Sequence, residues 1–245
     1  MDQHFKLGLI GKDISYSFSK NYFENKFKKL FLKNHSYDIF DLEDLSEVGQ
    51  IFKDQNLIGF NVTIPFKEKI IPYLDELSDE AKIIGAVNTV LIKDHIKKGF
   101  NTDAFGFEKT LLLHQKNHHT SALILGNGGA AKAVKYVLEK YQINHQTVTR
   151  SGDFNFENLT EEIVASYPLI VQCTPVGTFP KVEDCIDFPF AGLTSDHLVI
   201  DLIYNPDYTS FIKMASENEA KTVNGFYMLE QQAEKAWEIW NVQKK

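Results

Sequence analysis

The sequence predicts an α/β protein of two domains, and three observations predict it. Short apolar segments of strand length alternate with helical patterns from Phe5 to about Asp103, and the alternation starts afresh at Ser121. Strands separated by helices imply mostly parallel sheets with helical cover. The second run opens on a strand that enters a glycine turn and then a helix-forming run, Ser121-Ala-Leu-Ile-Leu-Gly126-Asn-Gly128-Gly129-Ala-Ala131, the start of a Rossmann-type unit. A chain of 245 residues is long enough for two modest domains with a substantial core.

The elements follow in order. Phe5 to Ile10 reads as a strand, Ser19 to Leu32 as a helix and Ser36 to Phe40 as a second strand. Asn56 to Thr63 gives another strand, while Ala86 to Ile92 and Ile96 to Phe100 form a hairpin around Lys93-Asp94-His95. Asp103 to His114 is a helix leading out of this first unit. The second unit has strands at 121–126, 144–149, 168–172 and 197–201, a helix from Ala130 to Tyr141, and a longer loop over 174–196 punctuated by Phe179-Pro180 and Phe188-Pro189. After Asn224-Gly225, Met228, Leu229, Ala233, Ala236, Trp237 and Trp240 recur at helical spacing. Periodicity leaves open which domain that last helix covers.

Composition narrows the function. The chain is 43% hydrophobic and 24% charged, with a formal net charge of -7. This balance, with a pI of about 5.6, gives no electrostatic footing for nucleic acid or a membrane surface. No stretch approaches the ~18 apolar residues of a membrane span, and Met1-Asp-Gln-His is polar, so no signal segment is expected. Cys173 and Cys185 have neither metal-ligand spacing nor the numbers for a disulfide framework. The expectation is a cytoplasmic protein without a metal, acting on a small molecule, as a monomer or homodimer. His118-His119 and the Lys-rich stretch Lys26 to Lys33 read as solvated faces.

The glycine turn fits the dinucleotide pattern G-x-G-x-x-A at Gly126, Gly128 and Ala131. Gly126 permits the tight turn, Gly128 lets a pyrophosphate approach the backbone, and Ala131 keeps the helix close to the strand. The helix N-terminus offers N–H groups and a positive dipole end to the phosphates. An NAD site would carry an acid about 20 residues on, for the ribose 2′-hydroxyl. Here the second strand ends in Thr149-Arg150-Ser151, and a guanidinium between two hydroxyl residues suits a 2′-phosphate. The cofactor expected is therefore NADP. Alone, the turn could be only a turn and Arg150 only a surface residue; the strand, helix and second strand around them support the nucleotide reading.

Outside the nucleotide unit, polar clusters sit at strand ends: Ser15-Tyr-Ser17-Phe-Ser19, Asn61-Val-Thr63-Ile-Pro65-Phe66-Lys67, Gly85-Ala-Val-Asn88-Thr89 and Asn101-Thr102-Asp103. Ligands of open α/β sheets bind at the carboxyl ends of strands. Hydroxyls and amides there suit a polyhydroxylated small molecule, and a helix N-terminus near Ser17 and Ser19 suits its carboxylate. Each cluster also has a plain structural reading: Ser19 as a helix cap, Asn61 and Asn88 as turn residues, Asp103 as a cap. Lys67 and Asp103 are the acid–base candidates. Carbonyl reduction by NADPH needs a proton for the developing alkoxide, which a lysine ammonium can stabilise while a carboxylate orients it. A structural Lys67–Asp103 ion pair is the alternative.

With these motifs in view, the chain resembles the shikimate dehydrogenase family, NADP-dependent enzymes that reduce 3-dehydroshikimate to shikimate. The likeness runs in the family's order over nearly the whole chain. Ser17-Phe-Ser19 resembles the serine pair that holds the substrate carboxylate, and Asn61 to Lys67 the motif with a substrate-binding threonine, Thr63, and the catalytic lysine, Lys67. The resemblance implies that Asn88 and Asp103 bind substrate hydroxyls, with Asp103 pairing with Lys67. It implies a phosphate loop at Gly126, Asn127, Gly128, Gly129 and Ala130 and a 2′-phosphate clamp at Thr149, Arg150 and Ser151. Thr174-Pro-Val-Gly177 and Asp201-Leu-Ile-Tyr204-Asn205-Pro206 resemble later loops that face cofactor and substrate. Gly225 and Met228 are implied near the nicotinamide, with Tyr204 and Gln232 reaching substrate. The last helix is implied to return to the substrate domain, giving residues 1–103 completed by 226–245 as that domain and 104–225 as the NADP domain, with the active site in the cleft between them. The chain departs from the family's usual residues at Asp13, Tyr16, Lys20, Thr149 and Thr178. The alternatives are a quinate/shikimate dehydrogenase with relaxed cofactor use, and a non-catalytic NADP(H)-binding sensor on the same scaffold.

Overall fold

The computed structural model describes residues 3–14 and 17–241. Residues 1–102 with 233–245 form one compact unit and residues 103–232 another. The first contains β1 (Phe5–Gly11), α1 (Phe18–Lys29), β2 (His35–Asp41), α2 (Val48–Ile51), β3 (Gly59–Val62), β4 (Glu76–Leu77), α3 (Asp79–Ile84), β5 (Thr89–Lys93) and β6 (Ile96–Phe100). The second contains α4 (Asp103–His114), β7 (Ser121–Leu125), α5 (Gly129–Lys140), β8 (Asn144–Val148), α6 (Glu161–Ala165), β9 (Leu169–Gln172), β10 (Leu198–Asp201), α7 (Ser210–Glu217) and β11 (Lys221–Val223). The final helix α8 (Phe226–Asn241) starts among residues of the second unit, and its residues from Ala233 onward belong to the first.

In the first unit the sheet order is β2-β1-β3-β5-β6-β4. The β1–β2, β1–β3 and β4–β6 pairs are parallel and β5 runs against both of its neighbours. The β5–β6 hairpin turns at Asp94 and His95, whose φ angles of 49° and 65° are left-handed, the conformation a tight two-residue turn requires. Alternation along β1 sends side chains to both faces. Leu7 and Leu9 pack with Phe23, Phe27, Tyr37, Ala233, Ala236 and Trp240. Ile10 packs on the other face with Phe60, Val62, Phe66, Val87 and Val90. The strand expected over 56–63 is shorter, 59–62. The hairpin's first strand starts at Thr89, because at Val87 the backbone N–H turns instead to the Lys67 carbonyl, at 2.7 Å.

The second sheet, β8-β7-β9-β10-β11, is parallel throughout. Its core joins Leu123, Leu125, Val148, Ile170 and Val199 to Phe188, Phe190 and Phe211 from the loop after β9 and from α7. No helix among the described residues is long and apolar enough to cross a membrane.

Of the two stretches expected to be solvated, His118, Lys28, Lys29 and Lys33 are exposed, while His119 and Lys26 are covered. His119 is 4% exposed. Its Nδ1 accepts from the Lys116 N–H at 2.9 Å and its Nε2 meets the Asp196 carbonyl at 3.2 Å. Burial lowers its pKa, which favours the neutral ring that this arrangement needs. Lys26 donates to Glu234 at 2.6 Å and lies 5.8 Å from the Trp237 ring. Its stem is covered by α8, a partner that spacing within α1 could not reveal.

Trp240 fixes α8 to the first sheet. Its ring is buried and its Nε1–H donates to the Val90 carbonyl at 2.9 Å. The ring lies over Gly59, where a Cβ would come within 2.4 Å of Nε1. Trp240→Phe leaves a buried carbonyl without its donor, a loss of about 1–3 kcal/mol. Urea unfolding should show a correspondingly lower midpoint; an unchanged midpoint would mean this contact is not what holds α8.

Candidate active site

Register brings the first unit's polar clusters to one end of its sheet. Leu9 pairs with Asn61, Asn61 with Thr89, and Thr89 with Phe100. The start of β5 therefore lies beside the ends of β3 and β6, because β5 is reversed. Backbone bonds lock the loops around this line. Thr63 N–H donates to the Ile10 carbonyl at 2.9 Å, Val62 N–H to Asn88 at 2.8 Å, and Asn88 N–H to Phe100 at 3.1 Å. Together with the Val87 N–H bond to Lys67, these hold the backbone of Thr63, Lys67 and Asn88 in one neighbourhood. Phe66 anchors the loop between them, being 2% exposed.

The carboxamides of this cluster are buried and bonded. Asn61 accepts from the Tyr37 hydroxyl at 2.8 Å and donates to the Asn88 carbonyl at 3.2 Å and Thr89 Oγ1 at 3.1 Å. Asn88 accepts from the Thr102 N–H at 2.6 Å and donates to Thr102 Oγ1 at 3.0 Å. Asn88 thereby fixes the residue that precedes Asp103, itself 6% exposed at the first position of α4. These two asparagines are more than turn residues.

Ser17 and Ser19 stand at the start of α1. Ser17 is the N-cap, its hydroxyl accepting from the Ser19 N–H at 3.2 Å. The capping role foreseen for Ser19 thus belongs to Ser17. The approach is shaped by Asp41, which accepts from the N–H groups of Asp13 at 2.8 Å and Ile14 at 3.1 Å. Asp13 there takes a left-handed φ of 55°. Ser15 and Tyr16 lie outside the described residues.

In the second unit the glycine loop follows β7. Gly126 has φ 106°, a conformation that favours glycine; a Cβ there would press on Thr174 Cγ2 at 3.0 Å. Its N–H donates to the Val148 carbonyl at 2.8 Å. Gly128 is the N-cap of α5, no side chain caps that helix, and a Cβ on Gly128 would meet nothing within 4 Å. Gly129 and Ala130 open the helix and Ala131 is fully buried under it. A turn with open space in front of a helix start fits a pyrophosphate. Strand order reverses between β7 and β9, the place where open sheets of this kind bind ligands.

Beyond β8, Thr149 donates its hydroxyl to the Ser151 carbonyl at 2.8 Å, shaping a turn with Arg150 and Ser151 exposed at its tip. Two buried polar side chains organise the remaining loops. Gln172, fully buried at the end of β9, accepts from the Thr174 N–H and donates to the Val176 carbonyl at 3.3 Å. Asp201, fully buried at the end of β10, accepts from the Ile203 N–H at 3.0 Å and the Thr209 hydroxyl at 2.7 Å. It closes the loop that carries Tyr204. Gly225 packs against the same loop, where a Cβ would lie 2.1 Å from the Leu202 carbonyl oxygen. On α8, Met228 is 7% exposed and its carbonyl would lie 2.6 Å from a Cβ on Gly106, while Gln232 donates to the Leu229 carbonyl at 2.9 Å. Sequence reasoning missed the parts played by Tyr37, Gln172 and Asp201. For Gln172 and Asp201 the signal was a polar residue ending an apolar strand; Tyr37, between Ser36 and Asp38, carried none. Among the described residues, no group of three or more His, Cys, Asp or Glu side chains is placed to hold a metal.

Comparison with known proteins gives this arrangement its relatives. The family model described as shikimate dehydrogenase substrate binding domain matches residues 9–90. Shikimate dehydrogenase (NADP(+)) of Methanosphaera stadtmanae is 38% identical, the match covering 95% of this chain and 90% of that protein. The chain belongs to the shikimate dehydrogenase family. Among solved structures of the family, shikimate dehydrogenase of Aquifex aeolicus superimposes with a TM-score of 0.85 at 36% identity, covering 99% of this chain and 94% of that one. Shikimate 5-dehydrogenase of Thermus thermophilus, solved with NADP(H) and shikimate, has a TM-score of 0.86 at 28% identity, covering 97% and 94%.

Asp201 is a buried carboxylate with a displaced titration. Burial pushes it from 3.8 up to about 6, against the bonds from Thr209 and Ile203. Its folded value lies above its unfolded one, so the ionised form disfavours folding. That contribution is absent below the unfolded value and complete above the folded one, and it is worth up to about 3 kcal/mol. Between pH 3.5 and 7, Asp201→Asn should therefore gain stability relative to wild type by an amount of that order, read from urea midpoints across pH. A constant difference would show that Asp201 titrates normally.

Proposed function

We propose that this chain is an NADP-dependent shikimate dehydrogenase, catalysing the reversible reduction of 3-dehydroshikimate to shikimate in aromatic amino acid biosynthesis. The observation that carries the reading is the convergence of Thr63, Lys67, Asn88 and Thr102 at one end of the first sheet, in a family whose curated relatives are named shikimate dehydrogenase (NADP(+)). An oxidoreductase acting on a secondary alcohol needs such a cluster: polar groups to orient the hydroxyls and one cation beside the reacting oxygen.

When bound, NADPH supplies a hydride to the C3 carbon of the ketone and leaves as NADP. The chain's residues do the rest. Ser17 and Ser19, with the N-terminus of the twelve-residue α1, hold the substrate carboxylate. Thr63, Asn88, Asp103, Tyr204 and Gln232 orient the ring through its hydroxyls. As the C3 oxygen gains negative charge, the Lys67 ammonium stabilises it and gives it a proton, completing the alcohol. Asp103 balances the lysine's charge. In the reverse direction Lys67 takes that proton back. Gly126, Asn127, Gly128, Gly129 and Ala130 receive the pyrophosphate, and Thr149, Arg150 and Ser151 the 2′-phosphate. Thr174, Gly225 and Met228 border the nicotinamide. The enzyme works in the cytoplasm as a monomer or homodimer, a setting in keeping with the unpaired thiols of Cys173 and Cys185.

Lys67→Ala should lower turnover by about 10²–10⁴-fold while shikimate binding weakens far less. Steady-state kinetics test this: weaker binding with unchanged turnover would reduce Lys67 to a positioning group. Arg150→Ala should weaken NADP by roughly 10- to 100-fold, the scale of one charge-assisted bond, and leave NAD little changed. The ratio of kcat/KM for the two cofactors, in wild type and variant, is the measurement. Equal losses with both cofactors would remove the 2′-phosphate assignment, and with it the reason to prefer this reading over a quinate/shikimate dehydrogenase of relaxed cofactor use.

A further inference from the structure

Lysines on α5 differ in what they meet. Lys140 pairs with Glu108 at 2.8 Å, an ordinary link between α5 and α4. Lys135, one residue beyond Val134 on the same helix, reaches back instead to the glycine loop, its Nζ donating to Asn127 Oδ1 at 2.9 Å. A long helical side chain lies over the turn N-terminal to its own Cα, so this reach is the natural one for a residue two turns into the helix. The partner is a neutral carboxamide rather than a carboxylate. The hydrogen bond therefore fixes the ammonium in place and leaves its charge uncancelled.

The bond holds the ammonium over the glycine loop that follows β7. Asn127 lies between the two glycines that follow β7, and Gly128, beside it, opens onto space. Cys173 is the first residue after β9, and its N–H donates to the Leu125 carbonyl at the end of β7, at 2.9 Å. Burial pushes the Cys173 thiol up, the Asp201 charge adds to this, and the Lys135 charge opposes it, so Lys135 is within electrostatic reach of the residue that follows β9.

We infer that Lys135 is a further cofactor-binding residue, held by Asn127 as a fixed cation for a phosphate of the bound dinucleotide. The inference rests on the NADP site proposed above and adds a residue that neither the glycine pattern nor the 2′-phosphate clamp contains. Its chemistry is that of a point charge against phosphate oxygens, so it can serve the pyrophosphate or the 2′-phosphate.

Isothermal titration of the full chain with NADP and with NAD, at low and high salt, tests it. Lys135→Gln should weaken NADP by about 3- to 10-fold at low salt, on the scale of one exposed charge contact, and by less at high salt. Lys135→Arg should recover most of the loss. Asn127→Ala should cost affinity in wild type and nearly nothing in the Lys135→Gln background, since the two act as one unit. An equal loss for NAD identifies the pyrophosphate as the phosphate met, and a loss confined to NADP identifies the 2′-phosphate. The Michaelis constant for shikimate should stay within twofold. If wild type binds NADP and Lys135→Gln binds it equally well at low salt, the assignment of Lys135 fails while the NADP site stands. If wild type binds neither dinucleotide, both fail together.

Discussion

A carboxamide buried in the middle of a sheet is tolerated only when its polar atoms are paired, since each one left unmet costs about 1–3 kcal/mol. Asn61 is 6% exposed on β3, and its three partners, Tyr37, Asn88 and Thr89, come from two other segments of the chain, β2 and the start of β5. To satisfy Asn61, β2 must lie within a tyrosine's reach across β1, and β5 must start level with the end of β3. The same requirement recurs one strand further on, where Asn88 is met by Thr102 at the end of β6. Among the described residues, no buried side-chain nitrogen or oxygen lacks a hydrogen-bond partner. The geometry of the substrate cluster is therefore set by polar satisfaction inside an apolar core, with hydrophobic packing supplying the affinity and the amides the alignment.

The second unit uses the device in another form. Gln172 and Asp201 end adjacent parallel strands and face one another in register. Each turns its side chain onto the loop that follows and bonds a backbone group two or more residues ahead, and Asp201 accepts from the Thr209 hydroxyl as well. Loops at the carboxyl edge of a parallel sheet have few backbone partners of their own. A buried acceptor at the strand end gives them one. In Asp201 this order carries a cost, since burial disfavours its ionised form. That is the pattern expected where loop geometry matters more than stability.

Helix termini complete the arrangement and show a division of labour. At α1, Ser17 caps the helix with its own hydroxyl, and Asp41 on the neighbouring strand bonds the incoming backbone at Asp13 and Ile14. At α5 the cap is Gly128, with no side chain at all. One helix start is finished by the protein and the other is left for something else to finish. Small residues have matching roles: Gly59 makes room for Trp240 and Gly106 for the Met228 backbone, so two points on α8 are met by glycines that adjoin it.

What the sequence determined by itself was everything that depends on neighbours in the chain. The alternation of strands and helices, the hairpin at Asp94-His95, the helix from Asp103 to His114 and the glycine turn at Gly126 each rest on a period or a turn that a short window contains. The polar clusters were visible too, because hydroxyl and amide residues at strand ends stand out against apolar runs. Tertiary structure decided which of those groups meet. Tyr37 reaches Asn61 only because β1 lies between β2 and β3, and Lys26 is covered only because α8 returns from the far end of the chain. His119, in a stretch that reads as solvated, is buried because its two ring nitrogens find the Lys116 amide and the Asp196 carbonyl. Ser17, rather than Ser19, caps α1 because the helix starts one residue earlier than its apolar period suggests. A period or a turn is a local energy preference and can be read locally. A hydrogen bond between distant residues depends on strand order and register, which arise from the packing of the whole sheet.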